Sequence, residues 1–106
     1  FIMATIIKRK SDNVVTNFAQ SANFDAGHLT FIKIGGGEVI APTKTATTHE
    51  IIDDVTLPNK YFGNMLTYDD GTWVILTDAV AEENASRKAW RDKTGDTSFS
   101  DIEVEL

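Results

Sequence analysis

"GHLTFIKIGGGEVIAP", residues 27–42, sets three consecutive glycines between two apolar, β-branched runs. A Walker-type phosphate loop needs a Lys and a Ser or Thr after its last glycine, at the head of a helix. The dinucleotide fingerprint likewise needs a helix after its spaced glycines. Here Gly37 is followed by Glu38, whose charge would repel a phosphate, then by Val39, Ile40 and finally Pro42. That is strand sequence, so Gly35 to Gly37 read as a turn joining two antiparallel strands, with at least one glycine at positive φ. The stretch therefore points to β structure and away from nucleotide chemistry.

Working outward, turn signals recur every eight to fifteen residues with period-two segments between them. "MATIIK" (3–8) is a first strand ended by Ser11 and Asp12. "NVVTNFAQ" (13–20) alternates Val14, Thr16 and Phe18 against Val15, Asn17 and Ala19, and "SANFDAG" (21–27) reads as a loop. "LTFIKI" (29–34) and "EVIA" (38–41) flank the glycines, with Pro42 expected to stop the second strand. "PTKTATT" (42–48) reads as an exposed connection or edge segment, "HEIIDDV" (49–55) as a strand and "LPNKYFGN" (57–64) as a turn-rich link. In "MLTYDDGTWVIL" (65–76), Asp70–Gly71 sits between runs of β-formers. Asp-Gly accepts the positive φ of a tight turn, so a β-hairpin is predicted.

One helix is predicted over about 79–94. Thr77 and Asp78 are its candidate caps, Glu82 and Glu83 lie early, and Arg87, Lys88, Arg91 and Lys93 lie late, each where the helix dipole favours its charge. Gly95 suits the C′ position and Glu83–Arg87 an i,i+4 pair. The apolar stripe is thin: Ala81, Ala85 and Ala89, flanked by Val80 and Trp90, enough to lie close to a sheet while burying little. The tail "FSDIEVEL" (99–106) alternates as a half-exposed final strand. The fold class expected is α+β, mostly β: an antiparallel sheet or small sandwich or barrel of six to eight short strands with one C-terminal helix, in a single domain over 1–106.

Composition excludes more chemistry than it suggests. There are no cysteines, which removes thiolate catalysis, disulfides and cysteine-based zinc sites. The net charge of −6 opposes direct nucleic-acid binding, which begins with a basic patch. No apolar run approaches the ~18 residues of a membrane span. The opening "FIMATIIKRK" sets its basic residues after its apolar ones, the reverse of a secretory signal, and Met3 reads as a natural start. His28 and His49 have no ligand-spaced neighbours, and Asp53–Asp54 and Asp69–Asp70 are adjacent, so strand geometry points their side chains apart. No nucleophile motif occurs. Neither a catalytic residue, a cofactor nor a metal is expected, and the chain reads as non-enzymatic.

What remains are aromatics. Phe31, Tyr68 and Trp73 belong to strands as packing residues; Tyr61 and Phe62 lie in the link, free to be exposed. Trp90 either anchors the helix to the sheet or joins Arg87 and Arg91 in a contact patch, since Trp and Arg dominate interface hot spots. The segments "MATIIKRKSDNVV", "DDVTLPNKYFGNMLTYDDGTWVI" and "RKAWRD" resemble small tail-associated proteins of tailed bacteriophages. The resemblance is carried by Leu57, Pro58, Gly63, Tyr68, Asp70, Gly71 and Trp73, then Arg87, Ala89, Trp90 and Arg91. It covers about half the chain, in turn and packing patterns. It implies a structural or assembly-associated protein of the virion or host cytoplasm, which binds other phage proteins and self-associates; from charge and hydropathy, no direct nucleic-acid or membrane contact is expected. Two alternatives stand beside it: a small acidic inhibitor that mimics nucleic-acid charge, and a carbohydrate- or small-ligand-binding β module using Tyr61, Phe62 and Tyr68.

Overall fold

A computed structural model describes residues 3–106; Phe1 and Ile2, upstream of the expected start, lie outside the described residues. Seven strands and one helix follow in order: β1 (Met3–Arg9), β2 (Val15–Asp25), β3 (His28–Lys33), β4 (Glu38–Thr45), β5 (His49–Thr56), β6 (Leu66–Asp69), β7 (Thr72–Ile75) and α1 (Thr77–Thr94). β1 to β5 form one antiparallel sheet in the order β4-β3-β2-β1-β5, and β6 and β7 form a two-stranded sheet. The α+β, mostly β class expected from the sequence is the class observed.

The glycine stretch is the β3–β4 hairpin turn. Gly35, Gly36 and Gly37 have φ of 92°, 105° and 100°, and Lys33 N donates to Gly37 O at 2.9 Å. Asp70 (φ 47°) and Gly71 (φ 88°) close the β6–β7 hairpin, both left-handed as a two-residue turn of that twist requires.

The larger sheet is rolled on itself. One buried cluster joins Ile7, Ala19, Leu29 and Phe31 to Phe24, Val39 and Ile51, residues drawn from all five of its strands and from no other element. A flat sheet cannot bury its own face; curvature can. Two further contacts record the curl. β4 and β5 occupy opposite edges yet are joined by the short turn Ala46–Thr48, and Lys44 Nζ on β4 donates to Asn17 Oδ1 on β2 at 2.7 Å. Strands two places apart are separated by roughly 10 Å in a flat sheet, which lysine crosses here along the inside of the curve.

The outer face of β1, β2 and β5 carries the second cluster. Ala4, Ile6, Val15, Val55 and Leu57 are covered by Phe18, Tyr61, Tyr68 and Trp73, so the hairpin β6–β7 and the link before it form the second layer. Trp73 Nε1 donates to Thr56 O at 3.3 Å, and Tyr68 packs on Trp73 at 4.8 Å between centroids.

Several expectations are corrected. Val14, Thr16 and Phe18 do not share a face. β1 pairs Ile7 with Asn17 but Lys8 with Val15, so a bulge at Thr16 brings Val15 round to the side of Phe18. Ser21–Asp25 is strand, not loop: β2 runs on to pair with β3 as far as Asp25–His28, and the turn falls at Ala26–Gly27. Pro42 does not end β4, because β4 is an edge strand and its missing N–H faces no partner. The helix begins at Thr77, and its N-cap is Leu76 with no side-chain hydrogen bond, so Thr77 and Asp78 sit in the first turn rather than cap it. The tail forms no strand. It makes one isolated bridge, Lys60–Glu105, through backbone bonds of 3.0 and 2.9 Å.

Candidate functional site

α1 buries no residue, and among the described residues no strand packs extensively against it. The radius of gyration, 14.9 Å, exceeds the ~13 Å of a compact chain of this length, as a helix standing off a small sheet requires. The C-terminal tail is what holds α1. Asn84 donates to Ile102 O and accepts from Ile102 N at 3.2 and 2.8 Å, and Ile102 is buried. Arg87 donates from Nε to Glu83 Oε2 at 2.8 Å and from Nη1 to Ser100 O at 3.0 Å. Its guanidinium lies over Phe99 at 4.2 Å and over Phe62 at 5.4 Å, which ties the helix and tail to the link. Arg91 donates to Phe99 O at 2.8 Å and to Asp101 Oδ1 at 3.0 Å.

The five candidate residues thus divide. Arg87 and Phe62 meet; Arg91 joins them through the tail. Each arginine donates from two of its guanidinium nitrogens within the chain, so both brace the surface. Trp90 does not anchor the helix to the sheet: it is 49% exposed, beside this braced region. Tyr61 packs on Phe18 at 4.4 Å between centroids and covers the outer cluster. Tyr68 stands apart from Tyr61 and Phe62, in a different depression shared with Trp73 and Leu106. Phe99 was not singled out from the sequence, since one aromatic in a polar tail carries no period; its stacking on Arg87 is a tertiary fact.

A second region lies where β3 ends. β3 pairs with β2 only as far as Lys33 opposite Ala19, and the link takes over lower down, where Asn64 N donates to Val15 O at 2.9 Å. Between them no strand pairs with Asn17 or Phe18 on that side. This gap floors an open groove of about 460 Å³, walled by Phe31, Ile34, Tyr61 and Phe62 with Lys33 at its rim. Ile34 and Phe62 are 42% and 37% exposed.

Charge is spread rather than concentrated. Carboxylates pair with cations at Lys8–Glu50, Arg9–Asp12, Lys60–Glu103, Arg87–Glu83, Lys88–Asp92 and Arg91–Asp101, from the β1–β2 turn to the tail. Lys8 is buried on the sheet and donates to Asn13 Oδ1 and Tyr68 O at 3.1 and 3.0 Å, so it braces β6 against β1. Near the β4–β5 turn, burial holds the His49 imidazole below its ordinary range, helped by the charges of Lys44 and Arg9. Burial likewise lowers Lys44. Among the described residues no group of three or more His, Asp and Glu side chains is placed to hold a metal ion, and no helix is long and apolar enough to cross a membrane.

Compared with protein-family models, curated proteins and solved structures, the chain matches none.

Proposed function

We propose that this chain is a non-enzymatic, structural or assembly-associated protein of a tailed bacteriophage that works by binding other virion proteins. The observation that carries the protein-binding part is α1: an 18-residue helix with no buried residue, braced by Arg87 and Arg91 and presenting an exposed Trp90. A helix that buries none of its own residues and still shows an aromatic at its surface is suited to an external partner. The phage setting rests on the resemblance of the Leu57–Trp73 and Arg87–Arg91 segments. The acidic-mimic alternative draws no support from the six ion pairs, which neutralise six of the sixteen carboxylates at positions from Asp12 to Glu103.

The test is capture from lysate of a culture infected by the encoding phage, with the wild-type chain and Trp90→Ala as baits. Retention of a protein that is also found in purified virions, weakened at least about tenfold by Trp90→Ala, is the expected result. If neither bait retains a virion protein, the reading fails.

A further inference from the structure

The groove at the end of β3 combines apolar walls with basic side chains in a chain that is acidic overall. Its lining contains no carboxylate, although the chain carries sixteen Asp and Glu against ten Lys and Arg. Two lysines that form no ion pair adjoin it. Lys33 lies at its rim, and Lys44 Nζ is bound to Asn17 Oδ1, on the floor. The walls are aromatic and aliphatic, and the floor is the stretch of β2 that no strand covers.

We propose that this groove binds an extended, acidic segment of a partner protein, its apolar side chains set among Phe31, Ile34, Tyr61 and Phe62 and its carboxylates towards Lys33 and Lys44. Each feature selects the occupant. An interrupted strand pairing receives extended backbone, because a segment laid there continues the ladder beside Asn17 and Phe18. An apolar wall receives alternate side chains of such a segment, since successive residues of a strand point to opposite sides. Two lysines without carboxylate partners favour negative charge and disfavour a basic segment, which is a means of choosing among partners more than a source of affinity. The groove is open to solvent, whereas a small-ligand site encloses most of its ligand. The inference deepens the protein-binding reading by naming a partner chemistry, and it involves residues distinct from Trp90.

The test is a two-dimensional amide NMR titration of the full chain with two blocked hexapeptides, one alternating Ile and Glu, the other alternating Ile and Lys. The Ile/Glu peptide is expected to shift the amides of Thr16–Phe18, Lys33–Ile34 and Tyr61–Gly63. In the double variant Lys33→Glu, Lys44→Glu its affinity should fall about fivefold or more, and that of the Ile/Lys peptide should rise. Unshifted amides elsewhere in the variant establish that it is folded. Equal binding of the two peptides by the wild type, shifts confined to another surface, or no shift at millimolar peptide overturns the proposal. So does a glucose oligosaccharide that shifts the same amides while the peptides do not, which would assign the groove to a sugar. Trp90→Ala is expected to leave the peptide titration unchanged, so a failed capture through Trp90 and a failed groove are separate results.

Discussion

The guanidinium carbon of Arg87 lies over the Phe99 ring, 4.2 Å from its centroid, while Nη1 donates to Ser100 O, so one side chain of α1 grips the tail by both ring and backbone. Arg87→Ala should free the tail without unfolding the sheet. Hydrogen exchange at Ile102 N, which Asn84 Oδ1 accepts at 2.8 Å, is expected to speed up about tenfold. Arg87→Lys should recover little of the protection, because an ammonium lacks the planar fork that makes both contacts. Unchanged exchange in Arg87→Ala would show that Asn84 alone holds the tail.

Two glycines should respond to alanine for opposite reasons. A Cβ on Gly63 would stand 2.9 Å from Thr16 O, a backbone atom that cannot swing aside. Gly63→Ala is expected to cost about 1–3 kcal/mol by overpacking. A Cβ on Gly36 would meet nothing within 4 Å, but φ there is 105°. Gly36→Ala should cost about 1–2 kcal/mol through backbone conformation alone. Chemical denaturation of the two single variants checks both losses.

The two tryptophans should behave differently. Trp73 packs on Tyr68 and Phe18 and donates to Thr56 O, so Trp73→Ala is expected to cost about 3 kcal/mol or more. Trp90→Ala removes an exposed side chain and should change unfolding free energy by about 0.5 kcal/mol or less. Thermal melts of the two variants, read by circular dichroism, check both. A large loss in Trp90→Ala would mean that Trp90 serves the fold.

Stability should fall with acid between pH 7.5 and 5. His49 is held below its ordinary value of 6.5 in the folded chain, so over the interval beneath 6.5 the unfolded chain binds the extra proton. Folding is then favoured at higher pH: the stabilisation is complete above about 6.5 and is lost as pH falls towards the depressed folded value. The lowered carboxylates, Asp12, Asp92, Asp96 and Glu103, act only below about pH 4.5 and do not obscure this window. Urea midpoints at pH 7.5 and 5.5 should differ in the wild type and converge in His49→Gln. Equal midpoints in the wild type would contradict the assignment.

Much of the fold was legible because local chemistry dictated it. The glycine run, Asp70–Gly71, Gly95 at the end of α1 and the Glu83–Arg87 pair all depend on residues within a few positions of one another. What was not legible depends on distant partners. The bulge at Thr16 is set by β1, and Pro42 is tolerated because β4 happens to be an edge. Ser21–Asp25 looked polar and loop-like, yet pairing with β3 overrides that composition. The tail has a strand's alternation but lacks a strand beside it, so Ile102 is buried against α1 instead. Of the candidate surface, Phe62 and Trp90 were visible as aromatics outside the strand pattern. The groove was not, since it arises from where one strand stops relative to its neighbour.

β1, the first described strand, is an inner strand of the five-stranded sheet, between β2 and the edge strand β5. Its partner on one side is its immediate successor, while its partner on the other is completed only after β2, β3 and β4 have been made. The meander β2–β3–β4 can zip through short turns, but burial of Ile6 and Ile7 on both faces of β1 must await a loop closure spanning the intervening strands. The arrival of β5 is therefore the most non-local step in assembling the sheet, and the β5 side of β1 is expected to be the last surface sealed during synthesis and refolding.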